Sequence, residues 1–340
     1  MLDFGFAILG LRMGRETVKR WSRVGVGMAL VLGIVVLGQA APLPRMWPEP
    51  AVSPGGIEQV TGLVGEDRPD QLGVPTVVRD GARYRAWYVS RFGANGYAVH
   101  HAESADGKRF RNAVVCFSGN RAPCRISGRP VVFKVGGGWR MLLTVYHAVK
   151  KERDAIVAFA SEDGLVWREA GVVASGSDDC RRPAVVKAGR EWWLFYERLE
   201  RDQQPARSRY YRLESKDGDA WKSRRSLLRD QTRAASSAAA TLHAWYDRSA
   251  RRWCLISSEP GSSGRFELVL RLSEDGGRWK EGAGIVVTLG RDRRATTHVD
   301  MHAFLDDGGR WVMYWGRSPS RIWRERVDLG RLVRDALRRP

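Results

Sequence analysis

Along most of the chain, short apolar runs rich in Val, Trp, Tyr and Phe are cut by Asp-Gly, Gly-Gly and Pro, a pattern of strands and tight turns rather than helices. The first group of four comprises Val74 to Val78, Tyr84 to Tyr88, Ala98 to Ala102 and Val114 to Phe117. A second contains Pro130 to Phe133, Trp139 to Tyr146, Ala155 to Ala160 and Gly171 to Ala174. Pro183 to Val186, Trp192 to Tyr196, Tyr210 to Leu213 and Ser226 to Leu228 form the third. The fourth is looser, with Thr241 to Tyr246, Trp253 to Ser257, Phe266 to Leu272 and Gly284 to Leu289. The fifth has Val299 to Leu305, Trp311 to Trp315 and Ile322 to Val327, then only a basic tail from Arg331 to Arg339. Ile57 to Val64 reads as a lone strand ahead of them all.

Between the third and fourth strands of the first four groups lies the same phrase, Ser-x-Asp-Gly-x-x-aromatic. It occurs at Ser104 to Phe110, Ser161 to Trp167, Ser215 to Trp221 and Ser273 to Trp279, with successive serines 57, 54 and 58 residues apart. A period of this size marks repeated supersecondary units. Asp-Gly supplies the positive φ of a tight hairpin, Ser and Asp can bond the turn backbone, and the aromatic returns to the sheet. The phrase is therefore a repeat marker rather than a catalytic motif. Pro75 to Tyr84, Pro130 to Trp139 and Pro183 to Trp192 are each nine residues apart, which reinforces the period. Five four-stranded units fill 57–337, and the fifth lacks its outermost strand. The expected fold is all-β: a five-bladed β-propeller with four-stranded antiparallel blades, Ile57 to Val64 supplying the last strand and removing an exposed edge. Trp87, Trp193 and Trp315 fall where blade-to-blade cores are expected and need no sugar-stacking role.

Composition changes this picture in three ways. There are 57 Lys and Arg against 38 Asp and Glu, a formal net charge of +19, which favours anionic partners. The basic residues are spread along the chain without any nucleic-acid-binding motif, so no nucleic-acid partner is expected. Arg12, Arg15, Lys19, Arg20 and Arg23 precede the apolar run Val24 to Gly38, and Gln39-Ala40-Ala41-Pro42 follows. Residues 1–41 thus read as a signal peptide or an uncleaved N-terminal anchor, and 42–56 as a linker. Either way the propeller is expected outside the cytoplasm, secreted or periplasmic, with membrane contact only through an uncleaved N-terminus. In that setting Cys116 and Cys124 can bridge, whereas Cys180 and Cys254 either pair or stay as buried thiols. No zinc-site spacing is present.

With five such units and Ser161-Glu162-Asp163-Gly164 to Trp167 behind Pro130-Val131-Val132 and Trp139, the chain resembles the five-bladed superfamily of arabinanases, levansucrases and invertases. It lacks the extra residue between Asp and Gly that marks the six-bladed sialidase repeat. The resemblance implies a carbohydrate in the central funnel and carboxylates at the inner-strand starts of the first three blades. Two carboxyl groups flanking a glycosidic bond do the chemistry, one of them holding a proton. Carried onto this chain, the candidates are Asp70 before Pro75, Asp179 before Pro183, and Glu197 after Trp192 to Tyr196. Val74 stands where one of the families has Asp, and Ser127-Gly128-Arg129-Pro130 offers no acid, so the set is incomplete. Arg129 and Arg182 precede their prolines and are candidates for an acidic group on the ligand, or for pairing with a neighbouring Asp. His298, Asp300 and His302 alternate on the fifth inner strand, with His298 and Asp300 as candidate ligand contacts. No cofactor is expected, a channel metal near His298 being the less favoured reading. The reading is an exported monomeric glycosidase-like propeller that binds a carbohydrate, acidic or neutral, in its funnel, with hydrolysis left open by the incomplete carboxylate set; the alternative is a non-catalytic carbohydrate- or surface-binding scaffold.

Overall fold

A computed structural model of the chain describes residues 58–63, 73–91, 97–118, 124–126, 128–147, 153–200, 207–226, 241–260, 266–279, 285–287, 301–317 and 321–338. The signal or anchor at 1–41 and the linker at 42–56 lie outside these residues, as do Asp70, His298 and Asp300. The lone strand is β1 (Glu58–Val60). Blade 1 is β2 (Thr76–Asp80), β3 (Arg83–Arg91), β4 (Tyr97–Ser104) and β5 (Arg111–Ser118). Blade 2 is β6 (Cys124–Ile126), β7 (Val131–Val135), β8 (Gly138–His147), β9 (Arg153–Ser161) and β10 (Arg168–Ala174), with β6 and β7 sharing the innermost position along β8. Blade 3 is β11 (Asp179–Ala188), β12 (Glu191–Glu200), β13 (Arg207–Ser215) and β14 (Lys222–Ser226). Blade 4 is β15 (Leu242–Asp247), β16 (Arg252–Pro260), β17 (Phe266–Ser273) and β18 (Ile285–Val287). Blade 5 adds β19 (Met301–Asp306), β20 (Trp311–Arg317) and β21 (Arg321–Val327), followed by α1 (Leu329–Leu337). The innermost strands β2, β7, β11, β15 and β19 touch in that order, and β19 returns to β2, so five antiparallel sheets close a ring.

The four Ser-x-Asp-Gly turns share one wiring. Ser161 Oγ accepts the Gly164 N–H at 2.8 Å and donates to Asp163 Oδ1 at 3.0 Å. That oxygen accepts the Leu165 and Val166 N–H groups at 2.8 and 3.0 Å, and Gly164 takes a φ of +78°. The backbone donors at Val166 and Leu165 hold the Asp163 carboxyl down at about 2. Ser104 with Asp106, Ser215 with Asp217 and Ser273 with Asp275 repeat the arrangement.

These turns also join the blades. Trp87 Nε1 of blade 1 donates to the Gly164 carbonyl of blade 2 at 2.8 Å, and Arg85 Nη2 to the Asp163 carbonyl at 2.6 Å. Arg140 of blade 2 holds Asp219 of blade 3, Nη2 lying 2.8 Å from Oδ2. Arg212 of blade 3 donates to the Gly276 carbonyl of blade 4 at 2.7 Å. From blade 5, Tyr314 Oη donates to the Gly107 carbonyl of blade 1 at 3.0 Å and Arg324 Nη1 to the Asp106 carbonyl at 2.7 Å.

Only the seam between blades 4 and 5 is built otherwise, because blade 5 has no such turn. Its third strand runs into Asp328, whose carboxylate accepts the Arg331 N–H at 2.7 Å and caps α1. Leu329, Leu332 and Val333 bury themselves against Trp245, Cys254, Leu268, Met313 and Trp315 of blades 4 and 5. The stretch read as a basic tail is thus an amphipathic helix through Leu337, with Arg331 and Arg334 turned outward from its buried stripe.

Five buried clusters fill the five seams. Trp87 lies between blades 1 and 2, Trp193 between blades 3 and 4, and Trp315 between blades 4 and 5. β1 closes the ring by pairing with β21, Glu58 facing Arg324 and Val60 facing Ile322. Beyond it, Thr61 N–H reaches the Lys108 carbonyl at 3.0 Å and Phe110 N–H the Thr61 carbonyl at 2.9 Å, so the same segment grips blade 1. Cys116 carries a free thiol, half-buried in apolar surroundings that push it up to about 12, and the expected bridge to Cys124 is not formed. Cys180 and Cys254 are free and belong to different seams.

Candidate functional site

Pro75 and Pro130 directly precede β2 and β7, Pro183 lies within β11 at its bulge, positions where a missing N–H is tolerated, and the two Arg-Pro dipeptides sit at irregularities. In blade 2 the inner strand breaks between Ile126 and Val131, and Arg129 emerges from the break. Its guanidinium donates through Nη1 to Thr76 Oγ1 of blade 1 at 3.3 Å and through Nη2 to the Leu242 carbonyl of blade 4 at 3.3 Å. Thr76 Oγ1 in turn donates to the Pro130 carbonyl. Blades 2 and 4 are not neighbours in a ring of five, so this side chain spans the axis.

Arg129 meets no carboxylate among the described residues; both of its bonds go to neutral oxygens. Burial lowers its proton affinity to about 10. Beside it stand His243 of β15 and His302 of β19. Burial and then the Arg129 charge push His243 down to about 3, and the same two causes, joined by His243, carry His302 well below the ordinary imidazole range. Both rings are therefore neutral at physiological pH. His302 Nδ1 is 2.7 Å from Thr241 Oγ1, which also accepts the His302 N–H at 3.0 Å, whereas Nε2 of each ring has no hydrogen-bond partner among the described residues.

In blade 3 a bulge interrupts the β11–β12 register between Arg181 and Ala184, with Arg182 at a φ of +59°. Neighbouring residues of a regular strand point to opposite faces; the bulge turns Arg181 and Arg182 onto one carboxylate. Arg181 Nε donates to Glu197 Oε2 at 2.8 Å, and Arg182 Nη1 donates to the same oxygen. Glu197 is buried and serves as the shared counter-ion. Arg182 N–H also reaches Thr144 Oγ1 of blade 2 at 3.2 Å. Asp179 is fully buried, and its Oδ1 accepts the Asp154 N–H of blade 2 at 3.1 Å; Asp178 next to it pairs with Arg198.

Of the candidates within the described residues, the structure therefore brings Arg129 to the axis, joins Arg182 to Glu197, and makes Asp179 a link between blades. His302 reaches the hub as its alternation on the strand suggested. Thr76, Thr241 and His243 were missed; their one sequence signal is position at an inner-strand start, with Thr76 directly after Pro75. Among the described residues no group of three or more His, Cys, Asp or Glu side chains is placed to hold a metal ion.

Five antiparallel blades around a hub lined by inner-strand residues define a five-bladed β-propeller. Residues 58–295 match the family described as BNR repeat-like domain, and the chain belongs to that family. A Bacillus subtilis arabinanase, Arb43A, superposes with a TM-score of 0.55 at 14% identity over 77% of this chain and 96% of its own. A structure described under the GH130 family of mannoside phosphorylases and glycoside hydrolases targeting β-1,2 mannosidic linkages in Candida mannan gives 0.58 at 13% identity, covering 83% and 96%. The catalytic domain of a Coprinopsis cinerea GH62 α-L-arabinofuranosidase gives 0.53 at 13%, covering 82% and 98%. At such identities these likenesses establish the fold. A search of curated protein sequences finds no match.

Proposed function

We propose that the chain is an exported, glycosidase-like propeller that binds a carbohydrate at its hub and that Arg129 receives an acidic group of that ligand. The observation that carries this reading is a guanidinium held across the axis by two neutral oxygens, with no carboxylate beside it among the described residues. A partly buried charge that meets no carboxylate among the described residues gains from an anionic ligand, and a carboxylate or sulfate on a bound sugar would meet this guanidinium with bidentate geometry. Neutral imidazoles at His243 and His302 add polar groups that do not compete for the anion. Export is supported by the basic flank and apolar run ahead of residue 42.

Binding without turnover is the better-supported form of this reading. Hydrolysis by two carboxylates needs one group free to give a proton and another free to receive or attack. Glu197 is already shared by two guanidinium groups and Asp179 is engaged by a backbone N–H. The decisive experiment screens the purified protein against neutral and uronic-acid-containing oligosaccharides for affinity and for new reducing ends. The acidic ligands should bind at least about tenfold more tightly, with affinity falling as salt rises, and Arg129→Lys should remove about 1–3 kcal/mol of that preference. Equal affinity for neutral and acidic sugars overturns the role of Arg129, and release of reducing ends overturns the non-hydrolytic form.

A further inference from the structure

The seam between blades 4 and 5 holds a titratable group that the hub does not use. On β21, Trp323, Glu325 and Val327 alternate onto the face that joins the blade 4 to blade 5 cluster, with Met313 opposite Glu325 on β20. Glu325 is 2% exposed, and neither carboxyl oxygen has a hydrogen-bond partner among the described residues. This is also the seam closed by α1 instead of a Ser-x-Asp-Gly turn, and Leu329, Leu332 and Val333 of the helix lie in the same cluster.

Among the described residues, no other charge in the seam answers it. Arg324, its neighbour on β21, turns to Glu58 and the Asp106 carbonyl, and Arg326 is exposed. From β17, Arg271 turns to Ser257 and lies over Tyr210 at the seam between blades 3 and 4. Arg252 of β16 pairs with the exposed Glu274. At the end of β15, Asp247 is occupied by Ser249 Oγ and the Ala250 N–H. On the helix, Asp328 caps the first turn and Arg331 pairs with Asp335. Arg334 of the helix is exposed, Cys254 is held neutral by burial, which raises its thiol, and His243 and His302 by burial together with Arg129.

We propose that Glu325 makes the closing seam of the ring a proton-dependent latch: while its carboxyl is protonated α1 stays seated across blades 4 and 5, and ionisation releases the helix. An ionised carboxylate in this apolar cluster meets no cation among the described residues, the nearby Trp315 indole being a neutral donor, whereas the protonated form has only a neutral group to bury. Burial accordingly raises the group to about 7, partly offset by the nearby Trp315 indole. Because the open state ionises in the ordinary glutamate range and the seated state only near 7, opening rises by about tenfold per pH unit between those limits and levels off above them. β15, which carries the Leu242 carbonyl bound by Arg129, lines the same seam, so release of α1 loosens one support of the hub.

Amide hydrogen exchange of α1 in the full-length protein, corrected for intrinsic exchange, tests this between pH 5 and pH 8. The expected result is a rise in helix opening of at least about tenfold in the native protein and a flat, slow profile in Glu325→Gln, with the other seams unchanged in both. Glu325→Leu serves if the Gln variant does not fold. A pH-independent helix in the native protein overturns the proposal, as does the same rise in either folded variant. These outcomes do not depend on whether the hub binds a sugar.

Discussion

Two buried glutamates show how little residue type determines charge state. Glu197 lies against Arg181 and Arg182, brought together by a bulge; Glu325 lies among apolar side chains with the Trp315 indole nearby and no cation beside it among the described residues. Replacing Glu197 with Gln removes the counter-ion of two guanidinium groups that are themselves largely buried. The expected loss is about 3–5 kcal/mol, read from the denaturant midpoint, the range for breaking a buried pair from one side. A change below about 1 kcal/mol would mean that Glu197 is not the partner on which both guanidinium groups depend. Position made Glu197 legible as a candidate, directly after an apolar strand. Its partners were not, because Arg181 reaches it across a strand pair and Arg182 through a left-handed backbone that Arg rarely adopts.

At the scale of elements, the Ser-x-Asp-Gly turn was read correctly as a hairpin cornerstone, since its bonds are local and its residue types specify them. Its second role, holding the preceding blade through the turn carbonyls, was invisible, because Trp87 and Arg85 lie a whole repeat away from Gly164 and Asp163. Ser161→Ala strips a buried turn N–H of its acceptor and should cost about 1–3 kcal/mol in thermal or denaturant unfolding. The Asp163 carboxylate is depressed in the folded state from 3.8 to about 2, so its contribution is present above the ordinary range and is lost as pH falls through 2. An acid titration of stability should therefore be shallower in Asp163→Asn than in the native protein; parallel curves would remove the turn from the acid response. α1 shows the converse error. Its many arginines read as a solvated tail, yet Leu329, Leu332 and Val333 recur at helical spacing and find their partners only once blades 4 and 5 meet.

For the molecule as a whole, closure rests on a few residues near Glu58. Val60 and Leu63 are buried between blades 5 and 1, and Gly62 passes so close to blade 1 that a Cβ would stand 1.9 Å from the Phe110 carbonyl oxygen, at a φ of +82°. Gly62→Ala must shift this backbone or break the Thr61 bonds, and positive φ adds a further penalty. The expected outcome is a clear loss of thermal stability with early exposure of β1 and β21 to hydrogen exchange, whereas an unaltered melting curve would show that the ring does not depend on this crossing. The sequence by itself determined that there are five blades, where their turns lie, and that the first strand belongs to the last sheet, because period, turn chemistry and apolar alternation are local. Only the tertiary structure decided that, among the described residues, Arg182 is neutralised while Arg129 crosses the axis without a carboxylate beside it, and that Glu325 is buried without a cation. Those outcomes depend on neighbours contributed by other blades, and no local pattern records which blade will supply a counter-charge.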